Sequence, residues 1–142
     1  MSSINIWIVD DEKLDRYLLM RDLKQTGVQA NIAEFGSSTE ALNSLKDSRD
    51  GGEETEPSLA PQIIFLDINL PRISGLAFLE EFGKLRDEHP VLKPCSIMMM
   101  SSVEHPDERQ RALRHDFVAG FVTKGRTDAA ELNEMIEAAL TP

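Results

Sequence analysis

Short apolar runs alternate along the chain with longer segments in which apolar residues recur at helical spacing. The runs are rich in Ile, Val, Phe and Met, which favours strands, and the longer segments favour helices. Such alternation is typical of repeated βαβ units around a parallel sheet that is buried on both faces. The sequence therefore predicts an α/β fold with five strands and five helices. The predicted strands are Asn5–Val9, Gln29–Glu34, Gln62–Leu66, Ser96–Met100 and Gly120–Thr123.

Helix boundaries are indicated by capping residues and by Gly or Pro. The stretch Ser37-Ser38-Thr39-Glu40 offers a hydroxyl cap with an acid close behind it, and Thr127 or Asp128 caps the last helix. The inward stripe of the first helix is predicted to comprise Leu14, Leu18, Leu19 and Leu23. The predicted helices are Lys13–Gln25, a segment after Ser37 that carries Ala41, Leu42 and Leu45, Leu76–Asp87, Pro106–His115 and Thr127–Leu140.

One stretch, Asp47–Ala60, departs from the alternating pattern. It holds Gly51-Gly52, Pro57 and five acidic residues against one arginine, with nothing apolar before Leu59. Such a composition is typical of a solvated loop. We therefore predict an acidic loop insertion at about residues 47–60.

Length and composition limit the classes of protein to be considered. A chain of 142 residues that is 41% hydrophobic has the size and core of one domain, predicted to span residues 1–142. The net charge of −10 argues against direct binding to nucleic acid, which needs clustered Lys and Arg. A single cysteine excludes an internal disulfide and a Cys-based zinc site. With no leader and no long apolar run, we expect no membrane insertion and a cytoplasmic location.

Polar side chains follow four of the five predicted strands at the point where each strand ends. Asp10-Asp11 follows the first strand and Asp67 the third, while Ser101 and Lys124 follow the fourth and fifth. In open α/β sheets, the carboxyl ends of the parallel strands form the edge where ligands bind. We therefore expect three carboxylates, a hydroxyl and an ammonium to share one cleft.

Three carboxylates in one cleft indicate a divalent-metal site, because they repel one another unless a cation is bound. Mg²⁺ prefers oxygen ligands and keeps several waters, so Asp10 and Asp11 with a backbone carbonyl and water make a suitable shell. Asp67 is then available as a nucleophile. Considered singly, Asp67 is equally compatible with a turn made with Asn69 and Pro71, and Asp10-Asp11 with a helix cap.

The remaining polar residues complete the predicted site. An ammonium at Lys124 can pair with a carboxylate and then with a phosphoryl oxygen, stabilising charge without acting as a base. Ser101 can donate a hydrogen bond to the same oxygen, and Ser102 can replace it if the register differs by one residue. A strand-end lysine is otherwise an ordinary surface charge.

These motifs together resemble the receiver domain of two-component response regulators. The resemblance covers essentially the whole chain in the family's order, through Val9-Asp10-Asp11, Asp67-Ile68-Asn69-Leu70-Pro71 with Gly75 beyond, Met100-Ser101-Ser102 and Phe121-Val122-Thr123-Lys124. It implies a flavodoxin-like, doubly wound parallel sheet of order 2-1-3-4-5. It also implies a phosphoacceptor signalling protein rather than an enzyme, with possible self-catalysed phosphotransfer and dephosphorylation.

The resemblance assigns a role to each matching residue. Asp67 accepts a phosphoryl group from a histidine kinase or phosphotransfer protein, and Asp10 and Asp11 hold Mg²⁺ together with Asp67 and the backbone carbonyl of Asn69. Ser101 and Lys124 contact the phosphoryl group. Phe121 matches the family's switch aromatic, and a static core or edge position is the less favoured alternative.

Two features depart from the family pattern. Gly125 follows Lys124 where the family usually has proline, so we expect a more flexible loop there. The insertion at 47–60 exceeds the usual connection before the third strand, on the side away from the phosphorylation edge. With no room for an effector domain in 142 residues, a stand-alone receiver is expected to signal through a downstream protein target or to pass its phosphate on in a phosphorelay.

Three other functions remain as alternatives. A phosphatase of the haloacid dehalogenase class needs Asp-x-Asp-x-Thr, whereas this chain has Asp67-Ile68-Asn69 without the second acid. A flavodoxin-like electron carrier needs a glycine- and hydroxyl-rich loop after the first strand, where this chain has Asp10–Lys13. The third alternative is a receiver-like docking module that is never phosphorylated.

Overall fold

A five-stranded parallel sheet forms the centre of the protein in the computed structural model, which describes residues 4–50, 60–102 and 106–140 and omits the side chains of 47–50. The strand order is β2-β1-β3-β4-β5, and every neighbouring pair is parallel. The predicted flavodoxin-like sheet and its order are confirmed. The strands are β1 (Ile4–Val9), β2 (Ala30–Phe35), β3 (Ile63–Asp67), β4 (Ser96–Ser101) and β5 (Val118–Thr123).

Five helices cover the two faces of the sheet. The helices α1 and α5 pack on one face, and α2, α3 and α4 pack on the other. A 3₁₀ turn at Pro90–Leu92 leads into β4. The helices are α1 (Lys13–Gln25), α2 (Ser38–Asp50), α3 (Gly75–Glu88), α4 (Pro106–Leu113) and α5 (Ala129–Leu140).

The core lies in two layers because successive strand residues point to opposite faces. In β1, Ile6 and Ile8 pack with the α1 and α5 side, whereas Trp7 and Val9 pack with the α2 to α4 side. All five residues of β3 are buried, including Asp67 at its end. The central strands are therefore continuous apolar runs, and Asp67 is held in a buried position at the end of β3.

Helix caps follow the predicted residues. The Ser37 hydroxyl accepts a hydrogen bond from the Glu40 backbone N–H, and the Glu40 carboxylate accepts one from the Gly36 N–H. At α5, the Asp128 carboxylate accepts from the Glu131 N–H, so Asp128 is the cap. Thr127 instead accepts from the Thr123 N–H and closes the turn after β5.

Several predicted boundaries and one predicted core position differ from the structure. Leu14 of α1 is 66% exposed and is not part of the inward stripe, whereas Leu19 and Leu23 are buried. The strand β5 begins two residues early, at Val118, and α4 ends at Leu113. These ends are governed by packing and by turn hydrogen bonds, which periodicity does not report.

The predicted acidic insertion at 47–60 overlaps α2. The helix continues to Asp50, so the first four residues of the predicted loop are helical. Residues 51–59 lie outside the described part of the chain. Among the described helices, none is long and apolar enough to cross a bilayer.

Candidate functional site

The predicted polar residues meet at the carboxyl edge of the sheet. Asp67 is the last residue of β3, and Asp10 follows β1 directly. Lys124 follows β5, and its backbone N–H donates to the Ser101 carbonyl at 2.9 Å. The register of the sheet therefore aligns these strand ends, as the sequence predicted.

Three carboxylates converge closely enough to share a metal ion. Asp10, Asp11 and Asp67 each offer an oxygen, and these oxygens lie within 4.8 Å of one another. Asp10 and Asp67 are buried, at 0% and 5% exposure, while Asp11 is exposed. Hard oxygen ligands with one side open to water fit Mg²⁺, which retains water molecules in its shell.

Each buried carboxylate is oriented by the backbone that follows it. Asp10 Oδ1 accepts a hydrogen bond from the Glu12 N–H at 2.9 Å, and Asp67 Oδ1 accepts one from the Asn69 N–H at 3.1 Å. Both are turns in which the aspartate side chain binds the backbone two residues on. These two turns therefore shape the site directly, because each one holds the Oδ1 of its aspartate and leaves the Oδ2 facing the cleft.

The ammonium of Lys124 is the central cation of the described site. Its Nζ lies 2.7 Å from Asp10 Oδ2, 2.9 Å from Asp15 Oδ2 and 3.4 Å from Asp67 Oδ2. The Asp10 contact is close but poorly aligned, because Asp10 Oδ2 is buried and accepts no well-directed hydrogen bond. That oxygen therefore keeps a lone pair for another cation, which fits a metal ligand.

Burial and charge shift the pKa values of this pair. Burial raises the pKa of Asp10 above its usual value, and the close ammonium of Lys124 and the hydrogen bond from the Glu12 backbone offset this only in part. For Lys124, burial lowers the pKa, but the close carboxylates of Asp10 and Asp15 outweigh burial, so the net shift is upward. Lys124 is therefore firmly protonated, which suits a charge stabiliser and not a base.

Ser101 and Phe121 lie where the sequence placed them along β4 and β5. Ser101 pairs with Thr123 in the sheet and is partly exposed at the edge of the cleft. Phe121 is partly buried, packs against the core, and has the Arg109 guanidinium 4.6 Å from its ring centroid. The structure thus brings a cationic side chain of α4 onto the predicted switch residue.

The loop after Lys124 is more regular than the sequence led us to expect. Gly125 has φ +80°, a left-handed conformation that glycine adopts without strain. The Arg126 and Thr127 N–H groups both donate to the Thr123 carbonyl. The loop is therefore a hydrogen-bonded turn in the structure, and its greater flexibility stays a prediction.

Asp15 and Arg109 are site neighbours that the sequence analysis did not identify. Asp15 is on the first turn of α1, where an acid is ordinarily explained by the helix dipole. Arg109 is one of several charges on a polar helix. Neither residue belongs to a recognisable sequence motif. The contact of Asp15 with Lys124 and that of Arg109 with Phe121 are evident only from the structure.

Comparison with known proteins supports the resemblance to response regulator receiver domains. A profile of the response regulator receiver domain family matches residues 6–137. The chain is 31% identical over 129 residues to a protein-glutamate methylesterase/protein-glutamine glutaminase of Xanthomonas oryzae pv. oryzae, covering 89% of this chain and 31% of the relative. It is 28% identical over 137 residues to response regulator GacA of Pseudomonas protegens, covering 95% of this chain and 53% of the relative.

A solved structure shares both the fold and the length. The two-component response regulator of Cytophaga hutchinsonii superposes with a TM-score of 0.79 at 25% identity, covering 98% of each chain. The methylesterase relatives are far longer, since the chain spans about a third of their length. The shared region is therefore the receiver part of those proteins.

Proposed function

This chain belongs to the response regulator receiver domain family, and on that premise we propose that Asp67 is the residue that accepts the phosphoryl group. The observation that carries the proposal is the convergence of Asp67, Asp10, Asp11 and Lys124 at one edge of the sheet. A nucleophile, a set of metal ligands and a fixed positive charge are the components that phosphoryl transfer needs.

The donor is a phosphohistidine of a histidine kinase or phosphotransfer protein. The Asp67 carboxylate attacks phosphorus, the new O–P bond forms as the P–N bond breaks, and the imidazole leaves. Asp67 is suited to this step because its backbone is held in β3 and one oxygen is fixed by the Asn69 N–H. Water later attacks phosphorus and releases the carboxylate. These steps make the chain a self-catalysing phosphoacceptor, not an enzyme with a separate substrate.

Mg²⁺ is the proposed cofactor, held by Asp10, Asp11, Asp67 and the Asn69 backbone carbonyl. When bound, it neutralises charge on the phosphoryl oxygens. The fit rests on three clustered carboxylates and on the buried Asp10 oxygen that lacks a directed hydrogen bond. Lys124 supplies the second positive charge, since its ammonium already lies 3.4 Å from Asp67.

Ser101 and Phe121 are the proposed switch residues. The Ser101 hydroxyl donates to a phosphoryl oxygen, and its movement allows the Phe121 ring to rotate. In support, Ser101 and Phe121 lie on adjacent, paired strands. Arg109 contacts the ring from α4, so rotation of Phe121 changes the contact between β5 and α4.

The output is a protein contact. We place it on a downstream target or on the next protein of a phosphorelay, in the cytoplasm, with the receiver acting as a single domain. The acidic charge of the chain opposes direct nucleic-acid binding.

Intact-mass measurement after incubation with acetyl phosphate and Mg²⁺ tests the site. We expect the native chain to gain one phosphoryl group, and Asp67→Asn to gain none. Asp87→Asn is the matched control, because Asp87 is a highly exposed acid on α3. EDTA should abolish the gain in the native chain.

If acetyl phosphate does not phosphorylate the native chain, phosphohistidine proteins are the next donors to test. A native chain that takes up no phosphoryl group from either donor and binds no Mg²⁺ would refute the proposal. That result would favour a docking module that is never phosphorylated.

A further inference from the structure

Lys124 is shared between the phosphorylation site and a carboxylate of α1. The Asp15 Oδ2 accepts a hydrogen bond from Lys124 Nζ at 2.9 Å, which is shorter than the 3.4 Å from Nζ to Asp67. Asp15 is well fixed for a surface acid, with its side chain 33% exposed and Lys124 only 18% exposed. The pair therefore joins α1 to the turn after β5 across the mouth of the site.

Asp15 contacts Lys124 but, unlike Asp10 and Asp67, does not belong to the group of carboxylates that can share a metal ion. The carboxylates that can share a metal ion, among the described residues, are Asp10, Asp11 and Asp67. A bound divalent cation would thus neutralise Asp10 and Asp67 in part, but it would leave the charge of Asp15 intact. Asp15 then remains as a competitor for the Lys124 ammonium when a phosphoryl group arrives.

The Lys124 side chain is mostly buried, but it is not packed on every side. A cavity of about 70 Å³ lies beside it, between α1, β5 and the start of α5. Side chains that border a void lose the dispersion contacts that would otherwise restrain them. The three carboxylates within 3.4 Å of the ammonium therefore contribute to its position. The cavity is lined by both members of the pair and by Leu18, Met100, Val122, Gly125 and Leu132.

We propose that Asp15 is a positioning residue that draws Lys124 toward α1 and so slows the uptake of a phosphoryl group by Asp67. The inference deepens the proposed function and rests on it. For Lys124 to pair with a phosphoryl oxygen in the transition state, it must weaken its contact with Asp15. Only interactions that are stronger in the transition state accelerate transfer, and Asp15 favours the ground state.

Removing the carboxylate tests the inference. With acetyl phosphate at saturating Mg²⁺ and constant ionic strength, we expect Asp15→Asn to be phosphorylated about twofold to fivefold faster than the native chain, the upper part of the range that a partly exposed ion pair allows. Asp15→Glu keeps the charge and should stay near the native rate. Intact mass against time gives each rate.

Asp22→Asn is the matched control for bulk charge. Asp22 is on the same helix, borders the same cavity and has a 29% exposed side chain, but it pairs with Arg21. Removing its charge should change the rate less than twofold, since long-range repulsion of the anionic donor is screened at ordinary salt.

A double-mutant comparison separates positioning from a structural role. In a Lys124→Met background, Asp15→Asn should have no effect on the rate, because the contact it removes is already gone. An equal acceleration in both backgrounds would overturn the inference, as would an unchanged rate in Asp15→Asn alone. If the native chain is never phosphorylated, the proposed function itself fails. If the native chain is phosphorylated and Asp15→Asn does not change the rate, only this inference is refuted.

Discussion

Asp10 combines burial with negative charge, and this combination sets its energetics. It is fully buried at the end of β1, and its pKa is raised first by burial and further by the nearby Asp67. A carboxyl whose pKa is higher in the folded state than in the unfolded state lowers stability when it is ionised. The group that would bind a cation best is therefore one that weakens the metal-free fold.

Replacing Asp10 with asparagine should stabilise the metal-free protein at neutral pH. We expect Asp10→Asn to raise the free energy of unfolding in EDTA by about 1 kcal/mol, an ordinary size for the effect of one substitution. Asparagine can still accept from the Glu12 N–H, and Lys124 keeps Asp15 and Asp67 as partners. Urea unfolding followed by far-UV circular dichroism measures the change.

The pH dependence of that difference has a defined sign. As the pH falls from neutral through the raised pKa of Asp10 toward its ordinary value of 3.8, the native carboxyl becomes protonated and its penalty disappears. The stability of native and Asp10→Asn proteins should then converge. A difference that grows as the pH falls through this window would contradict the assignment.

At the scale of elements, the contact between β3 and α3 positions Asp67. Gly75 is the first residue of α3, and its N–H donates to the Ile68 carbonyl at 3.0 Å. A Cβ at Gly75 would lie 2.6 Å from the Asp67 carbonyl oxygen and 2.7 Å from Ile68 Cα. The helix can approach the strand end this closely only because residue 75 has no side chain.

Adding one methyl group at this contact should disturb both stability and chemistry. We expect Gly75→Ala to lower the free energy of unfolding by about 1–3 kcal/mol, as overpacking against backbone does, and to slow phosphorylation of Asp67. Thermal unfolding and the acetyl phosphate assay measure the two effects.

Gly83→Ala is the matched control within the same helix. A Cβ there would meet the Phe117 ring at 3.6 Å, an ordinary contact. Alanine favours the helix interior by up to about 1 kcal/mol over glycine. Gly83→Ala should therefore be neutral or stabilising with a normal phosphorylation rate. Equal losses in both variants would mean that a Cβ disturbs α3 at either position, and that the close approach to Asp67 is not what makes Gly75→Ala unfavourable.

For the whole molecule, the site joins elements that are distant in sequence. The Asp15 to Lys124 pair spans 109 positions, and it is closed by α1 packing beside the end of β5. Ion binding at such a junction stabilises only the folded chain, since the unfolded chain does not bring the carboxylates together.

Mg²⁺ should accordingly raise the stability of the whole domain. At a free concentration ten times the dissociation constant, one site adds about 1.4 kcal/mol to the free energy of unfolding. Asp11→Asn and Asp67→Asn should each reduce this gain, whereas Asp22→Asn should retain it. Thermal unfolding over a magnesium titration measures the gain. A native chain whose midpoint does not move with Mg²⁺ would contradict the metal site.

The fold class and most of the polar groups in the site could be predicted from the sequence alone. Buried parallel strands produce apolar runs, and their polar ends at Asp10, Asp67, Ser101 and Lys124 mark one edge of the sheet. That inference needs only the period of a strand and the common direction of parallel neighbours. Capping patterns also limited the α2 cap to the stretch Ser37-Ser38-Thr39 and the α5 cap to Thr127 or Asp128, and the structure identifies Ser37 and Asp128.

The contacts between the helices and the edge of the sheet could not be predicted from the sequence and are evident only in the tertiary structure. Periodicity assigned Leu14 to the core, yet it is exposed, and Asp15 beside it turns toward Lys124. The rotation of α1 about its own axis is fixed by its packing against the sheet, and a shift of one residue turns a helix position by about 100°. Which carboxylate reaches Lys124 therefore depends on that packing, which local sequence patterns do not contain.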